Sequence, residues 1–474
     1  MEIRRLVFAS LFAVAGVSGL TACSHHQQED DGGDVDAPQS PDSCSGLSCF
    51  QVDCTSKGLP PTSISGTVFA PNGTLPLYGV NVYVPINDPG PLTDGATCDR
   101  CDAGLPGGSL VQIKTDEAGH FQLDDVPATG NVPLVIQIGK WRRQVVVPNV
   151  AACQDTSLTT TDTTLPKDHT QGDLPHIAIT TGSADALECL VLKLGIDPSE
   201  FTNNSAAGHV HLYQNPHTPT DSKGNMNPGQ GAIKFKAGWP GGDGALFGDA
   251  TAMWNDPNAL KNYDIVMFSC EGGQYPTTKP QTALQAVHDY ADLGGRVFMS
   301  HWHNIWVGGE QGNAAHGLAD WEQTATFNFS APQDQENTIA SVDESVPKGQ
   351  SFAQWLVNVG ASTTRDQIPI TGARYTLPSN NAAMSDRRVY LDQSIAAVNG
   401  HVSVQDLEFT TPVTAATDDR CGKVVFSDMH VASGSSSNKT VPFPNGCSTT
   451  DLSPQEKALA FIFFDISSCV GQIF

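Results

Sequence analysis

Within GGRVFMSHWHNIW, Gly294 to Trp306, three side chains able to do chemistry stand close together: Ser300, His301 and His303. They follow a short apolar run, Val297 to Met299, that stops abruptly. A serine there is a nucleophile only on a strained turn between small neighbours, and Phe298 and Trp302 flank Ser300 instead. Cys270, in FSCEGG, is the other weak nucleophile candidate, with Gly272 on one side and Phe268 on the other. A metal site is the second chemistry open to these residues. Alternation along an extended stretch points both histidines of H-x-H the same way, which suits chelation of zinc. His430 completes an expected metal set of His301, His303 and His430, with Asp428 and Glu271 as neighbouring carboxylates. Against it, GHVHLY repeats the spacing without obvious partners, and histidines are common at satisfied strand ends.

For these groups to meet, several strands must end side by side. HIAITTG, GHVHLY, YDIVMFSC, RVFMS and GKVVFSD read as short buried strands, and SADALECLVLKLG, Ser183 to Gly195, as an amphipathic helix. QTALQAVHDYADLGG is a helix stopped by Gly294. SPQEKALAFIFFDIS is a last helix with Ser453, Pro454 and Glu456 at N-cap, N1 and N3. Alternating strands and helices imply an α/β, doubly wound, mainly parallel sheet over residues 175–474. Ligands of such sheets bind past the carboxyl ends of the strands. The expected ligand cleft is therefore Thr181, Glu271, Ser300, His301, His303, Asp428 and His430. Two stretches read as insertions: the Gly- and Pro-rich 214–250, whose GGDGALFG lacks the ending of a phosphate loop, and 308–420, expected to cover the cleft edge.

LKNYDIVMFSCEG, VHDYADLGGRVFMSH and GKVVFSDMHV, in that order, resemble the class I glutamine amidotransferase-like fold, a flavodoxin-like arrangement, and within it the trehalose-utilisation-type group. That family's catalytic cysteine stands in a Gly-x-Cys-x-Gly elbow after the strand matching RVFMS. Here Met299, Ser300, His301, Trp302 and His303 stand there, so the resemblance implies the fold without its nucleophile, a pseudoenzyme.

The front of the chain differs. Residues 61–150 alternate apolar and polar between Gly, Pro and Asn punctuation, as in SISGTVFA, GVNVYVP and PLVIQIG, which predicts a small antiparallel β-sandwich. ISGTVFAPNGTLPLYGVNVYV followed by TDEAGHFQL resembles a carboxypeptidase regulatory-like domain, a transthyretin-like sandwich, with Thr115, Asp116, Gly119 and Phe121 in the family's turn. Gly119 should take positive φ and Phe121 enter the core. Lys140, Trp141, Arg142 and Arg143 are a basic cluster: a grip for a polyanionic glycan or, as charge runs usually are, a solvated hairpin, which is the preferred reading. Residues 151–174 are Thr- and Asp-rich and read as a linker.

Arg4 and Arg5, an apolar run from Leu6 to Leu20 and then Leu20-Thr21-Ala22-Cys23 form a secretory signal. Its end resembles a bacterial lipobox, which implies removal of residues 1–22 and diacylation of Cys23. Ser24, where inner-membrane retention would require Asp, implies the outer membrane. Residues 23–60 are polar, a lipidated disordered tether. Formal charge is −25 with the signal, a surface that repels nucleic acid. Eleven cysteines follow Cys23, natural where disulfides persist. Disulfide candidates are Cys54, Cys98, Cys101 and Cys153 in the front part and Cys189, Cys270, Cys421, Cys447 and Cys469 in the large part. Cys98-x-x-Cys101 reads as disulfide-forming rather than half a zinc site, and Cys270 as bonded, with Cys189 as a partner. The odd count leaves at least one thiol over.

The mature chain also resembles a family of bacterial lipoproteins, some members of which carry the label tryptophan synthase alpha chain. The sequence has neither the eightfold βα count nor the reducing setting of such an enzyme. The expected function is a cell-surface lipoprotein, membrane-attached through Cys23, that binds carbohydrate, another cell-surface polymer or a surface protein without catalysis. The alternative is an exported hydrolase, metal-dependent or not, at the carboxyl edge of the sheet.

Overall fold

The front segment builds seven strands: β1 (Ser63–Thr67), β2 (Asn81–Pro85), β3 (Ser109–Lys114), β4 (His120–Leu123), β5 (Gly130–Ile138), β6 (Trp141–Asn149) and β7 (Asp155–Ser157). They form a four-stranded antiparallel sheet in the order β3-β2-β5-β6 and a three-stranded sheet in the order β4-β1-β7. The computed structural model describes residues 44–216, 231–330, 337–392, 402–431 and 441–471. The expected signal, Cys23 and residues 23–43 of the tether lie outside them, as does 217–230 of the first expected insertion. Residues 44–60, expected as disordered tether, instead hold two 3₁₀ turns, Gly46–Phe50 and Thr55–Lys57, and a disulfide from Cys54 to Cys153 ties them to the front strands. Ser45–Phe474 is one compact unit. No helix among the described residues is long and apolar enough to cross a membrane.

Gly119 takes φ +76°, and a Cβ there would meet Pro76 and Val68 within 3 Å, so only glycine fits the turn. Phe121 beyond it is 5% exposed. Two strands were not anticipated. β3 grades from half-buried to exposed and shows no clean alternation. β7 lies inside the expected linker and pairs parallel with β1, and Asp155 accepts hydrogen bonds from the Ser63 and Ser65 hydroxyls (2.8 and 2.6 Å). Side-chain polarity anchors it, which no hydrophobic period can reveal.

The large part is built from β8 (Ile177–Thr180), β9 (Phe201–Thr202), β10 (Val210–Gln214), β11 (Gly248–Asp249), β12 (Ile265–Phe268), β13 (Arg296–Ser300), β14 (Ala325–Thr326), β15 (Thr338–Val342), β16 (Gln367–Ile370), β17 (Ser379–Asn380), β18 (Asp386–Leu391), β19 (Ser403–Thr411) and β20 (Gly422–Ser427). Eleven of them form one mixed sheet, β11-β10-β8-β12-β13-β20-β19-β18-β15-β16 with β9 beside β10. From β11 to β20 neighbours run parallel. β8, β12, β13 and β20 are buried at every position, as strands covered on both faces must be. From β20 to β16 the pairing is antiparallel. Residues 308–420, expected as an insertion over an edge, thus supply four strands that widen the sheet.

The helices are α1 (Thr160–Thr163), α2 (Leu187–Lys193), α3 (Ala250–Trp254), α4 (Pro257–Leu260), α5 (Gln281–Asp292), α6 (Ile305–Gly308), α7 (Pro347–Asn358) and α8 (Pro454–Ser467). The Ser453/Glu456 capping box starts α8 as expected, and α8 is buried nearly all round. Phe463 and Phe464 pack on Trp141 of β6, and Phe461 stacks on Tyr78. The basic cluster is therefore not the solvated hairpin expected. Trp141 is fully buried, Arg142 is 2% exposed and bonds Asp173 (2.8 Å) and the Gly90 carbonyl (2.7 Å), and Lys140 pairs with Asp264.

Disulfides join Cys54 to Cys153, Cys98 to Cys421, Cys101 to Cys469 and Cys189 to Cys447, and Cys44 and Cys49 are also disulfide-bonded. The two cysteines of C-x-x-C thus each reach a distant part of the chain. Cys270, expected in a disulfide, is free and buried because its proposed partner Cys189 bonds Cys447.

Candidate functional site

Because β12, β13 and β20 are parallel neighbours, the residues just past their carboxyl ends share one edge. These are Cys270, His301 and His430, and one ligand-type atom of each lies within 4.8 Å of the others. Cys270 Sγ is 3.6 Å from His301 Nδ1, and the His301 and His430 rings are 5.2 Å apart. Arg374 Nη2 faces His430 Nδ1 at 3.4 Å. Nε2 of both histidines is buried without a hydrogen-bond partner.

The strained residue after β13 is His301, at φ +42°, whereas Ser300 is still extended. Ser300 Oγ accepts the Cys270 N–H at 2.8 Å and the residue is still extended, so the serine ties two strand ends together instead of standing on a nucleophile's turn. Cys270 is no better placed for attack: burial pushes its thiol up to about 12. Burial drives His301 down to about 3, with the Arg374 guanidinium adding to it, and holds His430 well below the usual imidazole range. Burial also lifts Asp428 to about 7, against hydrogen bonds from the Thr376 hydroxyl (2.7 Å) and amide (3.1 Å), and Asp185 to about 6.

The structure separates His303 from the metal set expected for it. The chain enters a 3₁₀ turn at His301 (His301–Asn304), so the H-x-H side chains diverge instead of aligning. His303 Nε2 donates to the Ser269 carbonyl (3.0 Å) and Nδ1 accepts from Trp306 Nε1 (2.9 Å), which occupies both nitrogens. Glu271 is likewise used: its Oε2 accepts from Lys279 Nζ at 2.6 Å, and both side chains are buried. Thr181 Oγ1 donates to the Ala232 carbonyl at 2.7 Å. All seven residues expected to line an open cleft are buried, Thr181, Ser300 and Asp428 completely. His209 and His211, in the other H-x-H, do have partners. His209 stacks on His176, and His211 Nδ1 meets the Tyr263 hydroxyl at 2.7 Å. Arg374 and Asp185 joined the site unannounced: the first comes from the expected insertion, the second read as part of a helix start.

The described residues enclose a larger space elsewhere, a cavity of about 660 Å³ near the beginning of β20. Tyr78, Gln112, Trp355, Arg388, Lys423 and Phe461 line it, so it draws on the front strands, the antiparallel strands and α8 together.

No protein-family model and no curated protein matches this chain. Among solved structures it is similar to a ThuA-like protein from Bacteroides uniformis, at 10% identity and a TM-score of 0.29, over 60% of this chain and 88% of that one. It is also similar to a chain of a type II cohesin–X–dockerin complex from Acetivibrio cellulolyticus, at 19% identity and a TM-score of 0.17, over 29% of this chain and 85% of that one.

Proposed function

We propose that this chain is an exported lipoprotein, anchored through Cys23, that binds carbohydrate or another cell-surface polymer and has no serine or cysteine nucleophile. The observation that carries this reading is the turn after β13. Where an amidotransferase-like sheet would present its nucleophile stands a buried histidine, His301, beside a thiol that burial keeps protonated. A fold does not by itself carry an activity, and without that nucleophile recognition is the reading we favour. In this reading the front segment is the carboxypeptidase regulatory-like sandwich and the large sheet the amidotransferase-like part, with the ligand in the cavity that both help to line. Its volume is in the range of small-ligand sites. Tyr78 and Phe461 offer rings and Gln112 offers hydrogen bonds, the combination that grips a sugar ring.

Detergent-solubilised chain, screened by thermal shift against neutral and acidic oligosaccharides, should gain stability with a matching glycan. The gain corresponds to about 2.7 kcal/mol at a hundredfold excess over Kd. Tyr78→Ala should weaken that binding about tenfold. Cys23→Ala should move the protein from the membrane to the soluble fraction, since acyl chains supply the anchor. Steady turnover of an ester, amide or glycoside by the purified chain, or no binding across the screen, would overturn the reading.

A further inference from the structure

The group past the ends of β12, β13 and β20 has properties that neither packing nor catalysis uses. His301 and His430 are 2% and 8% exposed, yet each keeps Nε2 without a hydrogen-bond partner. Buried polar atoms without partners are costly, and His430, whose Nδ1 already faces Arg374, keeps Nε2 unsatisfied beside His301 and a sulfur, which calls for a ligand. Cys270 is reduced, while every other described cysteine is disulfide-bonded. Its sulfur also accepts a backbone hydrogen bond, from the amide of Gly272 at 3.4 Å. Amides aimed at sulfur are the outer-shell support that a metal-bound thiolate receives.

We propose that Cys270 Sγ and one ring nitrogen each of His301 and His430 bind a single borderline-to-soft transition-metal ion, zinc(II) or copper. The spacing suits it. Bonds of about 2.3 Å to sulfur and 2.0–2.1 Å to nitrogen at a tetrahedral angle separate the two ligand atoms by about 3.5 Å, and Sγ and His301 Nδ1 are 3.6 Å apart. One thiolate with two imidazoles excludes magnesium and calcium, which require oxygen. Binding releases the Cys270 proton to solvent as the sulfur–metal bond forms, and nothing is oxidised or reduced. The divalent ion and thiolate leave one positive charge and Arg374 adds another, while the carboxyls of Asp428 and Asp185 lie within electrostatic reach of Arg374 to offset them. Three protein ligands leave a further coordination position for water or a small ligand. The site stands whether or not the large cavity binds a glycan.

The test uses the full chain purified in detergent, stripped with chelator and titrated with zinc(II), cobalt(II) as a spectroscopic substitute, and copper(II). One ion per chain is expected. Cobalt should give a thiolate charge-transfer band in the near ultraviolet, and copper an intense visible one if copper is the preferred ion. Cys270→Ser should abolish either band and weaken zinc binding at least a hundredfold. His169→Gln, in the other histidine–carboxylate group, should change neither. If Cys270→Ser fails to fold, X-ray absorption on the wild-type zinc complex replaces it: a shell with one sulfur supports the site, and a shell of nitrogen and oxygen alone overturns it. Binding that survives Cys270→Ser, binding lost in His169→Gln, or no ion retained at stoichiometric addition would also overturn it.

Discussion

Removing the bridge between Cys98 and Cys421 by replacing both with alanine opens a loop closed over a sequence separation of 323, and the neighbouring Cys101–Cys469 bridge spans 368. In the chain-entropy account either loop alone restricts the denatured chain by about 6 kcal/mol. The two are not independent, because their ends lie close in sequence. With one bridge intact the other closes an effective loop of only about fifty residues, worth about 4 kcal/mol. Each single-bridge variant should therefore lose about 4 kcal/mol, and the variant lacking both about 9 to 10 kcal/mol. Roughly 430 residues at about 2.1 cal/mol/K each give an unfolding entropy near 0.9 kcal/mol/K, so the melting temperature should fall about 4–5 °C for one bridge and about 10 °C for two. Scanning calorimetry without reductant measures this directly. Cys98, Cys101 and Cys469 line the large cavity, so the double variant should also lose the glycan-dependent shift. Single variants melting within a degree of wild type, or a double loss smaller than either single loss, would refute the reasoning.

Two further outcomes follow from buried charge. Lys279→Met leaves Glu271 charged and unpaired in the interior and should cost about 3–5 kcal/mol, whereas Glu271→Leu with Lys279→Met should recover most of it; denaturant unfolding that ranks the double variant below the single one contradicts this. His176 is held down to about 4 by burial, with His209 stacked on it, so its folded pKa lies below its unfolded value. The stability it supports is present above about pH 6.5 and is lost as pH falls towards 4, by at most about 3 kcal/mol despite the opposing charge of Asp94. His176→Phe should flatten the acid limb of the melting profile, and superimposable acid limbs would remove the claim.

How far the chain could be read depends on whether a residue's setting is made locally. The central strands were legible because a strand covered on both faces becomes a continuous apolar run, as IVMF and the VVF of β20 do. From their parallel order it followed that Cys270, His301 and His430 share an edge, and they meet there. His303 was misjudged by a local rule applied one residue too far, since alternation ends where the 3₁₀ turn begins.

The antiparallel half was hidden for a deeper reason. β19 is buried at all nine positions yet carries Gln405, Asp406 and Glu408, and by pattern alone such a segment belongs at the surface. Two of the three are paired over distance: Glu408 accepts from Arg388 Nη2 on β18 at 3.0 Å, and Gln405 Nε2 donates to the Arg374 carbonyl at 2.7 Å, whereas neither carboxyl oxygen of Asp406 has a hydrogen-bond partner and burial holds that carboxyl well above the usual carboxylate range. Arg142 repeats the case in the front part, where a residue read as solvated is buried because Asp173 and the Gly90 carbonyl receive it. The cavity and the candidate metal group both border such non-local pairs, through Arg388 in one and Arg374 in the other. A buried polar residue satisfied from a distant segment leaves no periodic trace, so the two places proposed for binding are where the pattern is hardest to read.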